Sequence, residues 1–252
     1  MGYLELSKQE LEKEYGNLVK RFEEFKGMGL NLNMARGKPS KEQLDFSLPM
    51  LDTINSKSDF IGEDKMDCRN YGLLNGITEC RKLFADILGV DAENVIVGGS
   101  SSLNMMFDTI SCFMTAPAVE GCKPWYEVKN RKFLCPVPGY DRHFGITQYY
   151  GFELIPIPMD DNGPDMDMVE RLVSEDDSIK GIWCVPKYSN PAGTTYSDEV
   201  VKRFAALKPA AKDFRIMWDN AYCIHEISDT PDVLLNIMDE CKKTGNEDLP
   251  IL

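Results

Sequence analysis

Three polar side chains in the last third of the sequence stand where a binding crevice would need them. Asn190 lies in Val185-Pro186-Lys187-Tyr188-Ser189-Asn190-Pro191-Ala192-Gly193, just after the apolar run Ile179 to Cys184. Asp219 and Tyr222 lie in Trp218-Asp219-Asn220-Ala221-Tyr222, just after Phe214 to Met217. Each stretch reads as a buried strand that ends abruptly in polar groups. Ligands of an open parallel sheet bind outside the carboxyl ends of its strands, so the three side chains are expected to share one crevice. Their types suit one kind of ring. A pyridinium nitrogen needs an anionic partner, which Asp219 supplies. A phenolic oxygen on the same ring needs hydrogen-bond donors, which the Asn190 amide and the Tyr222 hydroxyl supply. This is the recognition chemistry of pyridoxal phosphate, an electron sink that works best with its ring nitrogen protonated.

A phosphate on that ring needs its own site. Asn94-Val95-Ile96-Val97-Gly98-Gly99-Ser100-Ser101-Ser102 reads as a short strand, a turn of glycines and hydroxyls, and the start of an apolar helix from Leu103 to Met114. Such a turn offers free backbone N–H groups, hydroxyls and the positive end of a helix dipole. Gly99, Ser100 and Ser101 are therefore the candidate phosphate cup, although taken alone they fit a helix cap without a ligand equally well. Neither common nucleotide fingerprint is present. Gly-x-Gly-x-x-Gly is absent, and around Gly37-Lys38 the P-loop pattern fails, with Leu32 in place of its first glycine and Pro39 after the lysine.

Composition removes several other function classes. A net charge of −13 over 252 residues argues against nucleic acid or an anionic membrane as partner. The eight cysteines contain no C-x-x-C pair and there are only two histidines, so no zinc site is expected. No charged-then-apolar leader opens the sequence and no apolar run is long enough to span a bilayer, so the thiols read as reduced and the location as cytoplasmic.

The elements that must position these groups follow from periodicity. Ser7 and Glu10 form a capping box ahead of Leu11, Tyr15, Leu18, Phe22 and Phe25, a helix with one narrow apolar stripe that stops at Gly27 and is expected to dock on something larger. An extended segment through Ser40 follows, then a mixed polar stretch from Phe46 to Asp67. Ile77 to Leu88 reads as an amphipathic helix stopped by Gly89. From Val95 onward, strands alternate with helices. Arg131 to Cys135 is a strand, 151–159 a strand confined by its prolines to an edge, and Asp165 to Val173 a helix. Ile179 to Val185 is a central strand, Ser197 caps a helix running to Leu207, and Arg215 to Trp218 is the next strand. Thr115 to Asn130 reads as a surface excursion, and Thr230-Pro231 as the start of a last helix. This alternation predicts an α/β fold: a mostly parallel sheet with helices on both faces, preceded by an N-terminal helix and extended segment. The expected division is residues 1–45 and 46–252.

The segments around Asn190 and Asp219 resemble the S-N-P-x-G and D-x-A-Y segments of fold-type I aminotransferases of class I/II. Asn33-Met34-Ala35-Arg36-Gly37-Lys38-Pro39, Pro138-Gly139-Tyr140-Asp141-Arg142-His143 and the Lys187 to Gly193 run resemble a bacterial aspartate-aminotransferase-like group. The resemblance implies pyridoxal phosphate as cofactor, an amino acid and a 2-oxo acid as substrates, and a large cofactor-binding domain over 46–252. Residues 1–45 would then be part of a small domain. It implies that Tyr140 stacks on the pyridine ring, that Gly37 lies beside the substrate carboxylate together with Asn190, and that Tyr71 reaches the cofactor phosphate of the neighbouring subunit in a homodimer. On sequence grounds alone, Gly37 fits an ordinary turn, Tyr71 a core position and Tyr140 a turn-packing one. His143 has no assigned role. The family's Schiff-base lysine lies some tens of residues beyond D-x-A-Y. Only Lys242 and Lys243 follow Tyr222, both on the polar side of a helix, so that lysine is expected beyond Leu252 and this chain alone is expected to be inactive. Another fold-type I enzyme, such as a carbon–sulfur lyase, and an aminotransferase-like effector-sensing module are the rival readings.

Overall fold

The computed structural model describes residues 2–32 and 37–252, so Asn33 to Arg36, part of the wording that carries the resemblance, lie outside the described residues. The chain divides into two compact units, Met1–Asp59 and Phe60–Leu252.

In the first unit, α1 (Lys8–Gly27) starts as its sequence dictates. Ser7 accepts from the Glu10 backbone N–H at 3.4 Å while Glu10 Oε2 accepts from the Ser7 N–H at 2.8 Å, closing the capping box. Its stripe of Leu11, Tyr15, Leu18, Phe22 and Phe25 is exposed. A second capping box, Ser40 with Gln43, starts α2 (Lys41–Ser47).

The second unit is built on one sheet. Its strands are β1 (Lys132–Val137), β2 (Glu153–Asp160), β3 (Gly163–Pro164), β4 (Ile179–Cys184), β5 (Arg215–Trp218) and β6 (Pro250–Ile251), in the order β3-β2-β1-β4-β5-β6. All neighbours are parallel except β2 with β3. The expected α/β architecture is present, with β4 at its centre and buried at every position. Side chains alternate across the sheet as a strand requires. Leu134, Ile182, Cys184, Ile216 and Trp218 face one apolar cluster, completed by α6 (Met166–Glu175), α7 (Asp198–Ala205) and α8 (Ile237–Thr244). Phe133, Cys135, Trp183 and Met217 face the other, against α4 (Ser102–Thr115) and α5 (Asp141–Tyr149). Gly181 permits the close approach of β4 to β5: a Cβ there would lie 2.6 Å from both the Arg215 carbonyl and the Phe133 ring.

Three local expectations need correction. Val95 to Val97 is not a strand. The Val95 N–H donates to the nearby Ala92 carbonyl and the Val97 N–H to the Asn75 carbonyl, and no described strand pairs with the stretch. The stretch from Thr115 to Asn130 is not wholly superficial. Trp125 is fully buried, its indole N–H donating to Asp213 Oδ2 at 2.8 Å, while Lys180 Nζ takes Oδ1 at 2.7 Å, so a buried ion pair anchors the excursion. The last helix starts at Ile237 rather than at Pro231. Asn236 caps it through Oδ1, which accepts from the Met238 and Asp239 N–H groups. The same side chain donates to the Leu88 and Gly89 carbonyls at the end of α3 (Thr78–Leu88), so one amide joins two helix ends.

Candidate active site

The site is built where β1, β4 and β5 end. After β1 the chain turns through a cis Val137–Pro138 bond and Gly139, where a Cβ would come within 2.2 Å of the Pro136 carbonyl oxygen, and delivers Tyr140 to the start of α5. One turn on, His143 points inward and is 1% exposed. It stacks on Trp183 of β4, ring centroids 4.8 Å apart and planes 17° from parallel, and meets Tyr140 edge-on at 5.1 Å. Its Nε2 lies 2.9 Å from Asp219 Oδ2. A carboxylate only accepts hydrogen bonds, so the imidazole is the donor. Trp183 is itself held by its indole N–H, which donates to the Thr147 hydroxyl of α5 at 3.2 Å.

Asp219 continues the β5 ladder, its N–H donating to the Cys184 carbonyl at 2.9 Å, and its Oδ1 accepts from the Ala221 N–H. Both carboxylate oxygens are therefore engaged, while 11% of the side chain still reaches solvent. The cleft outside it is lined by Asp219, Asn220 and Ala221 on one side and by Ser102, Met105 and Met106 of α4 on the other. The start of α4, capped by Ser101 through the Asn104 N–H, thus opens towards Asp219. The Gly99 position has open space where a Cβ would be, and Ser100 is exposed. A smaller pocket on the other side of His143 is lined by Tyr140, Trp183, Ser189, Asn190 and Tyr196. Asn190 precedes a cis peptide bond to Pro191, in a loop closed by the Ser189 N–H to Thr194 carbonyl bond and by Gly193 at φ +76°. Tyr222 is half-buried in the turn after Asp219, its ring edge-on to His225.

Of the residues singled out in the sequence, Tyr140 and Asp219 both meet His143, whereas Asn190 lines the smaller pocket with Tyr140 and His143 rather than the cleft outside Asp219, and Tyr222, three residues after Asp219, lines neither. Ser101 caps the helix whose first residue, Ser102, lines the same cleft. Tyr71 lies 93% exposed and meets none of these residues within its own chain. Gly37 belongs to the first unit, is exposed, and has a backbone that any residue could adopt. Lys242 and Lys243 pair with Asp239 and Glu240 on α8 and do not line the cleft. Sequence reasoning missed the role of His143 as partner to Asp219, whose only signal was its place one helical turn after Tyr140. It also missed Trp183 and Ser102.

The donor set can be tested against the implied ring. It offers a fixed carboxylate for a pyridinium, an exposed amide and a hydroxyl for a phenolic oxygen, a flat aromatic, and a helix start for a phosphate. Asn220 Oδ1 is also buried beside the cleft with no hydrogen-bond partner. Among the described residues no group of three or more His, Cys, Asp and Glu side chains could hold a metal ion. The residues fit pyridoxal phosphate.

The aspartate amino-transferase family model matches residues 6–252. The chain belongs to that family. It is 46% identical over 230 residues to an aspartate aminotransferase of Corynebacterium glutamicum, covering 91% of this chain and 53% of that protein. The crystal structure of an aspartate transaminase from Corynebacterium glutamicum superposes with a TM-score of 0.86 at 43% identity, covering 97% of this chain and 57% of the other. An archaeal alanine:glyoxylate aminotransferase shares the fold, with a TM-score of 0.57 at 21% identity. The chain spans about half the length of these relatives. Among the described residues, no helix is long and apolar enough to cross a membrane.

Proposed function

We propose that the protein to which this chain belongs is a pyridoxal-phosphate-dependent aminotransferase that moves an amino group between an amino acid, aspartate- or alanine-like, and a 2-oxo acid. The observation that carries this reading is Asp219 at the end of β5, held by a buried histidine and facing the start of α4 across an open cleft. When bound, the cofactor supplies an electron sink for the bonds at the amino acid's Cα. The chain's own residues do the rest. Asp219 accepts the ring N–H and keeps that nitrogen protonated. His143 holds the carboxylate in place from behind. Asn190 and Tyr222 donate to the phenolic oxygen, and Tyr140 covers a ring face. The backbone N–H groups of Gly99 and Ser100, the Ser101 hydroxyl and the α4 dipole hold the phosphate.

In the same reading residues 1–45 belong to a small domain, with Gly37 and Asn190 near the substrate carboxylate, and the protein is a cytoplasmic homodimer. The exposed Tyr71 supports the dimer, since its side chain is free to reach the phosphate of a second subunit. In this reading neither Lys242 nor Lys243 holds the cofactor covalently, since both pair with acidic neighbours on α8 away from the cleft.

The test is an absorbance titration with pyridoxal phosphate, followed by borohydride. The wild-type chain is expected to give a saturable band that borohydride does not fix to the protein. Asp219→Ala is expected to weaken its binding at least about tenfold, since a hydrogen bond to a charged group contributes about 1.5–3 kcal/mol. A protein spanning the relatives' full length that gives no band would overturn the reading.

A further inference from the structure

Lys187 is 5% exposed, and a lysine is seldom so buried without partners that hold its charge. It follows β4 and Pro186, three residues before Asn190. Its Nζ donates to the Cys223 carbonyl at 3.2 Å and lies 3.3 Å from Glu226 Oε1. Both partners belong to the excursion that leaves β5 after Asp219. The next residue, Tyr188, stands at φ +46°, a conformation that a bulky side chain adopts only when its surroundings impose it. Its hydroxyl accepts from the Asp232 N–H at 2.9 Å, in the same excursion. Two adjacent residues at the end of β4 therefore grip one segment at residues 223, 226 and 232.

Leu234 and Leu235 at the far end of that segment pack against the apolar cluster, but the part before them has little else to hold it. Between Asp219 and the Asn236 cap of α8 it forms neither strand nor helix, and residues 224–233 are exposed throughout. Yet it carries Tyr222, whose hydroxyl must stand at a fixed distance from the Asn190 amide if both are to meet one oxygen. Asn190 lies on the loop that Lys187 and Tyr188 begin. Tying the segment to these two residues ties Tyr222 to Asn190.

We propose that Lys187 and Tyr188 are positioning residues, a two-point clamp that holds the 220–236 segment against the end of β4 and so sets the spacing of Tyr222 and Asn190 across the crevice. The positioning role rests on the functional reading above, whereas the clamp itself does not.

Hydrogen–deuterium exchange on the cofactor-free chain tests the clamp, and pyridoxal phosphate titration tests what it positions. Lys187→Met is expected to accelerate exchange over 220–236 by at least about tenfold while peptides from β1 and β4 keep their rates, and Lys187→Arg is expected to restore protection. Tyr188→Phe removes one acceptor and is expected to release the Asp232 amide without loosening the sheet. Lys187→Met is also expected to raise the apparent Kd for pyridoxal phosphate about tenfold. Exchange that is unchanged, or that rises evenly through the sheet, overturns the clamp. Should Lys187→Met not fold, Tyr188→Phe decides, and an unchanged Asp232 amide overturns the proposal. A protein spanning the relatives' full length with a protected segment but no cofactor band overturns the functional reading and the positioning role with it. A normal band with exchange unaltered in both variants overturns the clamp alone.

Discussion

Asp219 holds its orientation before any ligand arrives. Oδ2 meets the buried His143 and Oδ1 meets the Ala221 N–H, so the carboxylate cannot swing into the cleft or away from it without breaking one bond. His143→Leu keeps much of the ring's volume against Trp183 but removes the donor. The expected outcome is an apparent Kd for pyridoxal phosphate raised about tenfold, read by absorbance titration beside a thermal melt of the same variant. An unchanged Kd would mean that the Ala221 N–H orients the carboxylate by itself. Asp219 was readable in the sequence because it interrupts an apolar run at a strand's end, and Asn190 because it lies in the polar loop that follows one. His143 was not. Its bond spans 76 positions, and a histidine at a helix start gives no sign of which carboxylate it will meet.

At the level of elements, legibility followed the source of stability. β1, β4 and β5 are apolar runs buried on both faces, so composition alone marked them. Val95 to Val97 has the same composition, but a strand is defined by its partner, and that information is not local. The start of α8 misled for a related reason: Pro231 suits a first helical turn, yet Asn236, with four hydrogen bonds to satisfy two helix ends, decides the boundary. The link between β1 and the turn before β4 is electrostatic, and it can be titrated. Burial raises the Asp176 carboxyl, but the Lys132 ammonium and the Ser178 hydroxyl and N–H outweigh it and bring the pKa down to about 2. The folded value is below the unfolded one of about 3.9, so the stabilisation is present above about pH 4 and is lost as pH falls towards 2. Asp176→Asn is expected to flatten the fall in urea midpoint over that window. A wild-type slope retained in the variant would place the acid sensitivity elsewhere.

The whole molecule sorts its thiols by layer. Cys135, Cys184 and Cys241 lie inside the two apolar clusters that flank the sheet, and burial pushes Cys135 up to about 12 and Cys241 to about 11. Cys68 and Cys112 are exposed. Since only the thiolate reacts, a water-soluble alkylating reagent followed by mass spectrometry is expected to label Cys68 and Cys112 in the native protein and the three buried thiols only after unfolding. Early labelling of Cys135 would mean that the layers open. The sorting of residues into layers was readable in the two-residue alternation of the strands. Which helix covers which face was not, because crossovers leave no mark on composition. The layers also give the protein an optical property. Trp125, Trp183 and Trp218 are all buried, and Trp183 lies flat against the imidazole that holds Asp219. An indole so placed passes its excitation to a neighbouring ring that absorbs at its emission wavelength. The crevice therefore carries its own fluorophore, and the intrinsic emission of the unmodified protein reports on what enters it.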